Sequence, residues 1–365
     1  MPAQGGPLTR APNLGRSLSN RPTDQKGTKV QKLYIPKFAY KLIAVVASAA
    51  AIGSLAGCAS STPKSTLTAL PTLTVVTHDS FVMSKDLLAE FKQQSGIDVT
   101  LVKAGDAGAL TNKLALTKDA PIGDAFFGID NTFLGAALQN GVIAGRATAI
   151  DFGDVCMNYD KAWFAANAVA APTSIDQLTQ PAYKNLTVIE NPSTSSTGLS
   201  FLVATVGKYG DAGWQNYWTA LKGNGVKVDA GWEDAYYTDF SGSTGKGAYP
   251  IVLSYSSSPA YEIRKDGQAG TASILDGCFR QTEYAGALTN GKNPVGAQMF
   301  VDFLRGKSFQ AALPEAMYMY PIVKNTVLPA DWAKWATVAT KPVGGSLDIN
   351  ANRKDWLAAW SAIFG

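Results

Sequence analysis

From residue 72 onward, short apolar runs alternate with stretches of helical period. Leu73-Thr74-Val75-Val76 reads as a strand, and residues 84–95 as an amphipathic helix with Leu87, Leu88 and Phe91 on one face. Asp86 in the first turn and Gly96 just past the end are ordinary helix start and stop signals. Further strands are predicted at 99–102 and 125–129, with residues 112–117 inside a helix between them. In the second half the pattern resumes with strands at 186–189, 226–228 and 251–254, and with helices over 199–208, 213–221, 295–305 and 354–364. Strands alternating with helices imply βαβ units and parallel sheet covered on both faces. The fold class is therefore α/β, and two lobes fit the length better than one oversized sheet.

The first 57 residues follow a different rule. Residues 1–41 hold eight Lys/Arg against the single Asp24, and a sixteen-residue apolar run, 42–57, follows them. A basic region, a short apolar core and small residues before a cleavage point describe a secretory signal peptide, and the run is shorter than the ~20 residues of a membrane-spanning helix. The run ends in Leu55-Ala56-Gly57-Cys58, which resembles the lipobox of bacterial lipoproteins. That resemblance implies lipidation of Cys58, a linker over 58–71, and a protein held at the outer face of the cytoplasmic membrane by its lipid alone.

Charge changes meaning once this leader is set aside. The whole chain has 32 Lys/Arg and 28 Asp/Glu; eight and one of these lie in residues 1–57, leaving 24 and 27. The apparent basicity belongs to the export signal, and no basic cluster remains to neutralise a nucleic-acid backbone. Besides Cys58 there are only Cys156 and Cys278. In an oxidising exterior an isolated pair is a candidate disulfide, the alternative being two buried thiols.

Catalytic machinery is hard to assemble from this composition. His78 is the only histidine, so any Ser-His-Asp set would need it. The chain lacks a Gly-x-Ser-x-Gly elbow, a phosphate loop, a dinucleotide fingerprint, and the closely spaced His and Cys of the usual zinc sites. A binding protein with no cofactor and no resident metal is expected, and nothing argues for more than a monomer.

Polar and aromatic residues gather after the strands, where open α/β sheets take their ligands. They lie in Thr77-His78-Asp79-Ser80-Phe81, in the segment beginning Asp106-Ala107, at Asp130-Asn131, and in the Ser/Thr-rich stretch 191–198. Gly231-Trp232-Glu233-Asp234-Ala235-Tyr236 and Ser254-Tyr255-Ser256-Ser257-Ser258-Pro259-Ala260-Tyr261 complete the set. In this order, and with Met319-Tyr320-Pro321 near the end, these segments resemble the thiamine-binding proteins of ABC importers. The likeness covers most of residues 72–365.

That resemblance implies a two-lobed periplasmic-binding-protein-like type II fold with its ligand in the interlobe cleft. Lobe 1 is expected over 72–150 plus 285–365 and lobe 2 over 151–284. The implied partners are thiamine or its phosphates, and the permease and ATPase of an importer. The implied ligand-binding residues are His78, Asp106, Ala107, Ser195, Ser196, Trp232, Tyr255, Ser256, Ser257, Ser258 and Tyr261. Their chemistry suits a thiazolium cation: aromatic faces attract it by ~0.5–2 kcal/mol each, and a carboxylate such as Asp106 balances its charge. The hydroxyls of 193–197, opening a helix, offer donors to a phosphate. Each also has an ordinary structural role open to it. Trp232 can be core, and Ser195, Ser196 and Asp106 can cap helices.

Two departures from the family stand out. Only residues 144–149 join Val142-Ile143 to Ile150-Asp151, a much shorter stretch than relatives carry and one expected to lie close to an interlobe crossing. Ser193 stands where some relatives have a basic residue, which weakens the case for phosphorylated ligands. The competing expectation within the same fold is a ferric iron binder using the adjacent Tyr236 and Tyr237 with help from His78, or a polyamine binder.

Overall fold

The computed structural model describes residues 68–365; the expected signal peptide, the lipidation at Cys58 and most of the linker lie outside them. Nine strands in this part form a hydrogen-bonded sheet. They are β1 (Thr72–Thr77), β2 (Asp98–Lys103), β3 (Ala125–Asp130), β4 (Ile143–Asp160), β5 (Thr187–Glu190), β6 (Lys227–Asp229), β7 (Ile251–Tyr255), β8 (Thr271–Leu288) and β9 (Tyr320–Pro321). The strand order is β2-β1-β3-β8-β4-β7-β5-β6, with β9 paired to β4.

The local rules account for each end of this order. β1 runs parallel to β2 and β3, and β5 runs parallel to β6 and β7, as βαβ connections require. The helix Lys85–Ser95 starts where Ser84 Oγ accepts the Leu87 amide at 3.2 Å and stops at Gly96, whose φ of 74° is the left-handed cap. Its Phe91 meets Phe300 and Phe303 of the helix Pro294–Leu304 edge-on, at 5.5 and 5.4 Å. Removing such faces from water is the main stabilising term of a fold of this kind.

The centre departs from the expected parallel pattern. β4 and β8 are each 18 residues long and antiparallel to each other, so the two parallel halves are joined into one sheet rather than separate. Neither strand shows clean alternation in the sequence. The β4–β8 register shifts between Ala144 and Thr148, between Ala149 and Asp151, and between Val155 and Met157. Each shift inserts residues on one strand and breaks the two-residue period on which strand recognition depends. The short stretch 144–149 is absorbed inside β4 as the first of these irregularities. Residues Ala149 and Tyr284 lie opposite each other, so the two expected lobe crossings fall at one level of the sheet.

A disulfide and an ion pair hold β4 to β8 beyond the ladder, as does the Ser273 hydroxyl, which donates to Asn158 Oδ1 at 2.8 Å. Cys156 and Cys278 are disulfide-bonded, with S–S 2.03 Å and Cα–Cα 4.6 Å. Arg280 donates to both oxygens of the buried Asp154, from Nε at 2.8 Å and from an Nη at 2.9 Å, a two-point geometry that a lysine does not reproduce. No helix among the described residues is long and apolar enough to cross a membrane.

Candidate functional site

A narrow cavity opens beside the central strands, lined by His78, Ser80, Asp106, Ser196, Trp232, Tyr255, Glu283, Met317 and Met319. A second, wider space shares Ser80, Asp106 and Trp232 with it and extends along Gly105, Thr194 and Gly231. Together they make one cleft between the segments that follow β1 and β2 and those that follow β5 and β6.

Asp106 is the junction of that cleft. It is the N-cap of the helix Ala107–Leu116, accepting the Ala107 amide at 2.6 Å. The same carboxylate accepts the Ser196 amide at 3.3 Å and the Trp232 amide at 3.0 Å. Asp106 therefore takes the capping role that the sequence left open, and the same carboxylate also bridges to the segments at Ser196 and Trp232. The approach is close, because Ala109 N donates to Thr194 O at 3.0 Å. A side chain at Gly108 would come within 2.7 Å of the Thr194 backbone.

Trp232 is almost fully buried and stacks on Tyr236, with ring centroids 4.8 Å apart and planes 16° apart. Its indole N–H donates to Ser254 Oγ at 2.9 Å. Tyr255 stands 6.1 Å from the indole on the cavity wall, and its hydroxyl accepts from Gln281 at 3.3 Å. Core packing and cavity lining are not exclusive for Trp232: Tyr236 packs against it, and it also lines the cavity.

The serines divide by role. Ser196 reaches the cavity, whereas Ser195 is the buried N-cap of the helix Ser196–Tyr209, its Oγ 2.9 Å from Thr197 Oγ1 and 3.5 Å from Gly198 N. Thr197 in turn donates to Glu190 at 2.6 Å. Burial pushes the Glu190 carboxyl well above the usual range, against the pull of that hydroxyl. Ser257 and Ser258 hold the turn after β7 together: the first donates to Tyr318 O, and the second shares a 2.9 Å contact with Ser254. Ser256 is buried, and its Oγ has no partner among the described residues. Ala107 contributes only its backbone to the Asp106 cap.

Tyr261 lies apart from the expected set. It is half-exposed, stacks on Tyr318 at 4.0 Å and borders a different surface hollow with Trp332. Tyr318 was missed in the sequence although it sits beside the quoted Met319-Tyr320-Pro321. It caps the helix Lys307–Met317 with φ of 60°, an uncommon conformation for a bulky residue. It meets Trp232 at 5.6 Å and Tyr236 at 5.8 Å, and its hydroxyl lies 3.1 Å from that of Tyr237. The C-terminal part of the chain thereby closes against the aromatic cluster.

His78 owes its place to Gly128. At φ 96°, Gly128 sits where the β3–β8 register shifts, and a β-carbon there would lie 1.9 Å from the His78 ring. The imidazole packs into that gap with Nε2 3.3 Å from Glu283 Oε1. Burial opposes the charged imidazole, but the neighbouring Glu283 outweighs it and raises the His78 pKa above its ordinary value. Glu283 was not legible as a site residue, since nothing in the sequence marked β8 as a strand.

The Tyr236 and Tyr237 phenols do not converge. Their rings stand at 89°; Tyr236 donates to Glu262 at 2.9 Å, and Tyr237 turns to Tyr318. Burial raises both phenol pKa values, which disfavours the phenolate an iron ligand must be. Among the described residues no group of three or more His, Cys, Asp or Glu is placed to hold a metal.

Residues 135–340 match the family of bacterial extracellular solute-binding proteins. The thiamine-binding periplasmic protein of Escherichia coli K12 is 31% identical over 312 residues, which span 80% of this chain and 93% of that protein. Its namesake from Haemophilus influenzae is 27% identical over 314 residues, covering 78% and 90%. Among solved structures, a periplasmic thiamin-binding protein matches with TM-score 0.70 at 26% identity, covering 81% of this chain and 96% of that one. Iron-bound HitA from Pseudomonas aeruginosa matches with TM-score 0.62 at 17% identity, covering 80% and 99%, which is a likeness of fold alone.

The chain is a two-lobed solute-binding protein of the periplasmic type II fold, and it belongs to the bacterial extracellular solute-binding proteins. Within them it is similar to the thiamine-binding periplasmic proteins.

Proposed function

We propose that this protein captures thiamine outside the cytoplasmic membrane and delivers it to an ABC importer. The observation that carries this reading is the wall of the cleft, where Trp232 and Tyr255 face a space also lined by Asp106 and Glu283. Aromatic faces attract a fixed cation through their quadrupole, and carboxylates in a dry setting add to that attraction. The thiazolium supplies such a cation, and the aminopyrimidine supplies N–H donors to a carboxylate. The identity with thiamine-binding relatives over nine-tenths of their length supports the same ligand.

Unphosphorylated thiamine is the preferred form on this reading. The cavity lining contains two carboxylates and, besides His78, no basic side chain, so a diphosphate brings like charge against like charge. The lobes divide at the level where Ala149 faces Tyr284, and β4 and β8 act as the hinge strands. Binding without catalysis, a monomeric state, and anchorage through a lipidated Cys58 after removal of residues 1–57 complete the proposal.

Calorimetric titration of thiamine into protein freed of ligand by unfolding and refolding tests it. Tight one-to-one binding of thiamine, weaker for thiamine diphosphate, is the expected result. Folded protein that gives no heat with either ligand would overturn the assignment.

A further inference from the structure

Three acidic residues stand side by side on three neighbouring strands. The antiparallel register sets Asp130 of β3 opposite Glu283 of β8, and Glu283 opposite Asp151 of β4. Directly opposed residues project from the same face of a sheet, so the three carboxyl groups form one row across the centre of the molecule. All three are buried. Among the described residues, the only cationic side chain within ion-pair distance of the row is His78, 3.3 Å from Glu283.

The row is also short of hydrogen bonds. Asp130 is satisfied by Thr132 at 2.8 Å and by the Phe133 amide at 3.2 Å. Glu283 Oε1 accepts from Gln281 at 3.4 Å, whereas Glu283 Oε2 and both oxygens of Asp151 meet no N–H or hydroxyl donor among the described residues; the Asp151 carboxyl lies against that of Glu283, and Glu283 reaches the cavity wall. A buried carboxylate without a donor is costly unless it takes up a proton or a cation. The row therefore calls for positive charge at the floor of the cleft.

We propose that the Asp130–Glu283–Asp151 row, with His78, selects the charge of the ligand: a cation seated in the cleft displaces one proton from this group to solvent. The proposal rests on thiamine as the ligand and adds to it a proton count and a selection rule. Other titratable groups face the row as well. Asp79 and Asp106 act on His78, and Tyr255 from β7 feels both Glu283 and Asp106. Tyr284 and Arg353 feel Asp130.

Burial and the neighbouring carboxylates favour the protonated forms, whereas the Arg353 cation and the hydrogen bonds from Thr132 and Phe133 oppose this at Asp130. Burial pushes Asp130 up to about 7, and burial followed by the Glu283 charge pushes Asp151 well above the carboxylate range. Burial lowers the His78 pKa, but the Glu283 charge beside it raises it above the ordinary value. The group thus carries exchangeable protons near neutrality, and an added positive charge weakens its hold on every one of them. Ligand affinity then rises with pH, by up to about tenfold per pH unit for one proton released.

The test is calorimetry of thiamine binding in phosphate and in Tris, whose ionisation heats differ, between pH 6 and 8. At pH 8, where its ring nitrogen is unprotonated, the pyrimidine fragment 4-amino-5-hydroxymethyl-2-methylpyrimidine serves as the uncharged probe. Expected are about one proton released per thiamine, affinity rising with pH, and no proton release with the fragment. Glu283→Gln is expected to cut thiamine affinity at least tenfold, and Asp151→Asn, which lies outside the cavity lining, is expected to reduce the proton count. Thiamine binding with buffer-independent heat and a flat pH profile overturns the proposal and leaves the thiamine reading standing. Absence of thiamine binding at every pH overturns both. The wild-type proton count decides the matter even where a variant fails to fold.

Discussion

The carboxylate of Asp106 accepts the backbone N–H of Trp232 at 3.0 Å, across 126 residues of chain. With the Ser196 amide at 3.3 Å on its other oxygen, this one side chain ties the segment after β2 to those after β5 and β6. Asp106→Ala removes a helix cap, worth about 1 kcal/mol, and a tie across the cleft. Thiamine affinity is expected to fall by well over tenfold, with Tm lowered by a few degrees. Asp106→Asn retains a capping oxygen, so its Tm is expected to stay near wild type while affinity still drops. Paired thermal melts and titrations separate cap from charge; equal affinity in all three proteins would exclude Asp106 from ligand binding.

Trp232 contributes a ring face and an N–H to Ser254. Trp232→Ala loses the aromatic wall and is expected to weaken thiamine binding by about 2 kcal/mol or more, the scale of a buried binding hot spot. Trp232→Phe keeps a ring and is expected to fall between the two. Tryptophan fluorescence of the wild type is expected to quench on thiamine addition, and the Trp232 variants are expected to lose most of that change. Undiminished quenching in Trp232→Phe would place the ligand elsewhere.

Cys156 and Cys278 are separated by 122 residues and join the two central strands. A loop of that size, closed in the unfolded chain, makes the bridge worth up to about 5 kcal/mol. The double Cys→Ser variant is expected to melt several degrees lower, and a reducing agent is expected to shift only the wild type. Identical melting of both proteins would show that the bridge does not stabilise the fold.

Asp130 supplies a pH signature. Its folded pKa is raised by burial to about 7 from 3.8, so between these values the folded state binds more proton than the unfolded state. Its contribution to stability is therefore complete at low pH and is lost as pH rises toward 7. Asp130→Asn cannot ionise, and the stability difference, wild type minus variant, is expected to become more negative from pH 4 to pH 8. Melting curves at several pH values read this directly; a difference independent of pH would mean that Asp130 is charged in the native protein throughout.

Much of the cavity lining was legible because its residues lie in local signals. Asp106 precedes a helix, Ser196 follows a strand, Tyr255 ends β7 and Trp232 opens the helical turn after β6, so their place at strand ends followed from element order alone. The iron alternative was legible too as an adjacent Tyr236-Tyr237 pair, but adjacency says nothing of direction. A π-helical turn over Asp234–Asp239 sends the two phenols to different partners. The direction of Tyr261 was not legible for a similar reason: its motif is local, but the ring turns onto Tyr318, which comes from 57 residues further along the chain.

By itself the sequence determined what depends on neighbours along the chain: the α/β alternation, the strand-end segments, the candidate caps at Asp106 and Ser195, and the aromatic residues of the cleft with Asp106. Only the tertiary structure decided how β4 and β8 pair. Their register is broken by bulges, and a one-residue shift in register moves every side chain to the other face. The meeting of Asp130, Glu283 and Asp151, the seat of His78 over Gly128, and the closure of Tyr318 on Trp232 all follow from that pairing and from packing between segments far apart in the chain. Periodicity carries information over a few residues, whereas such contacts are set by the burial of whole surfaces.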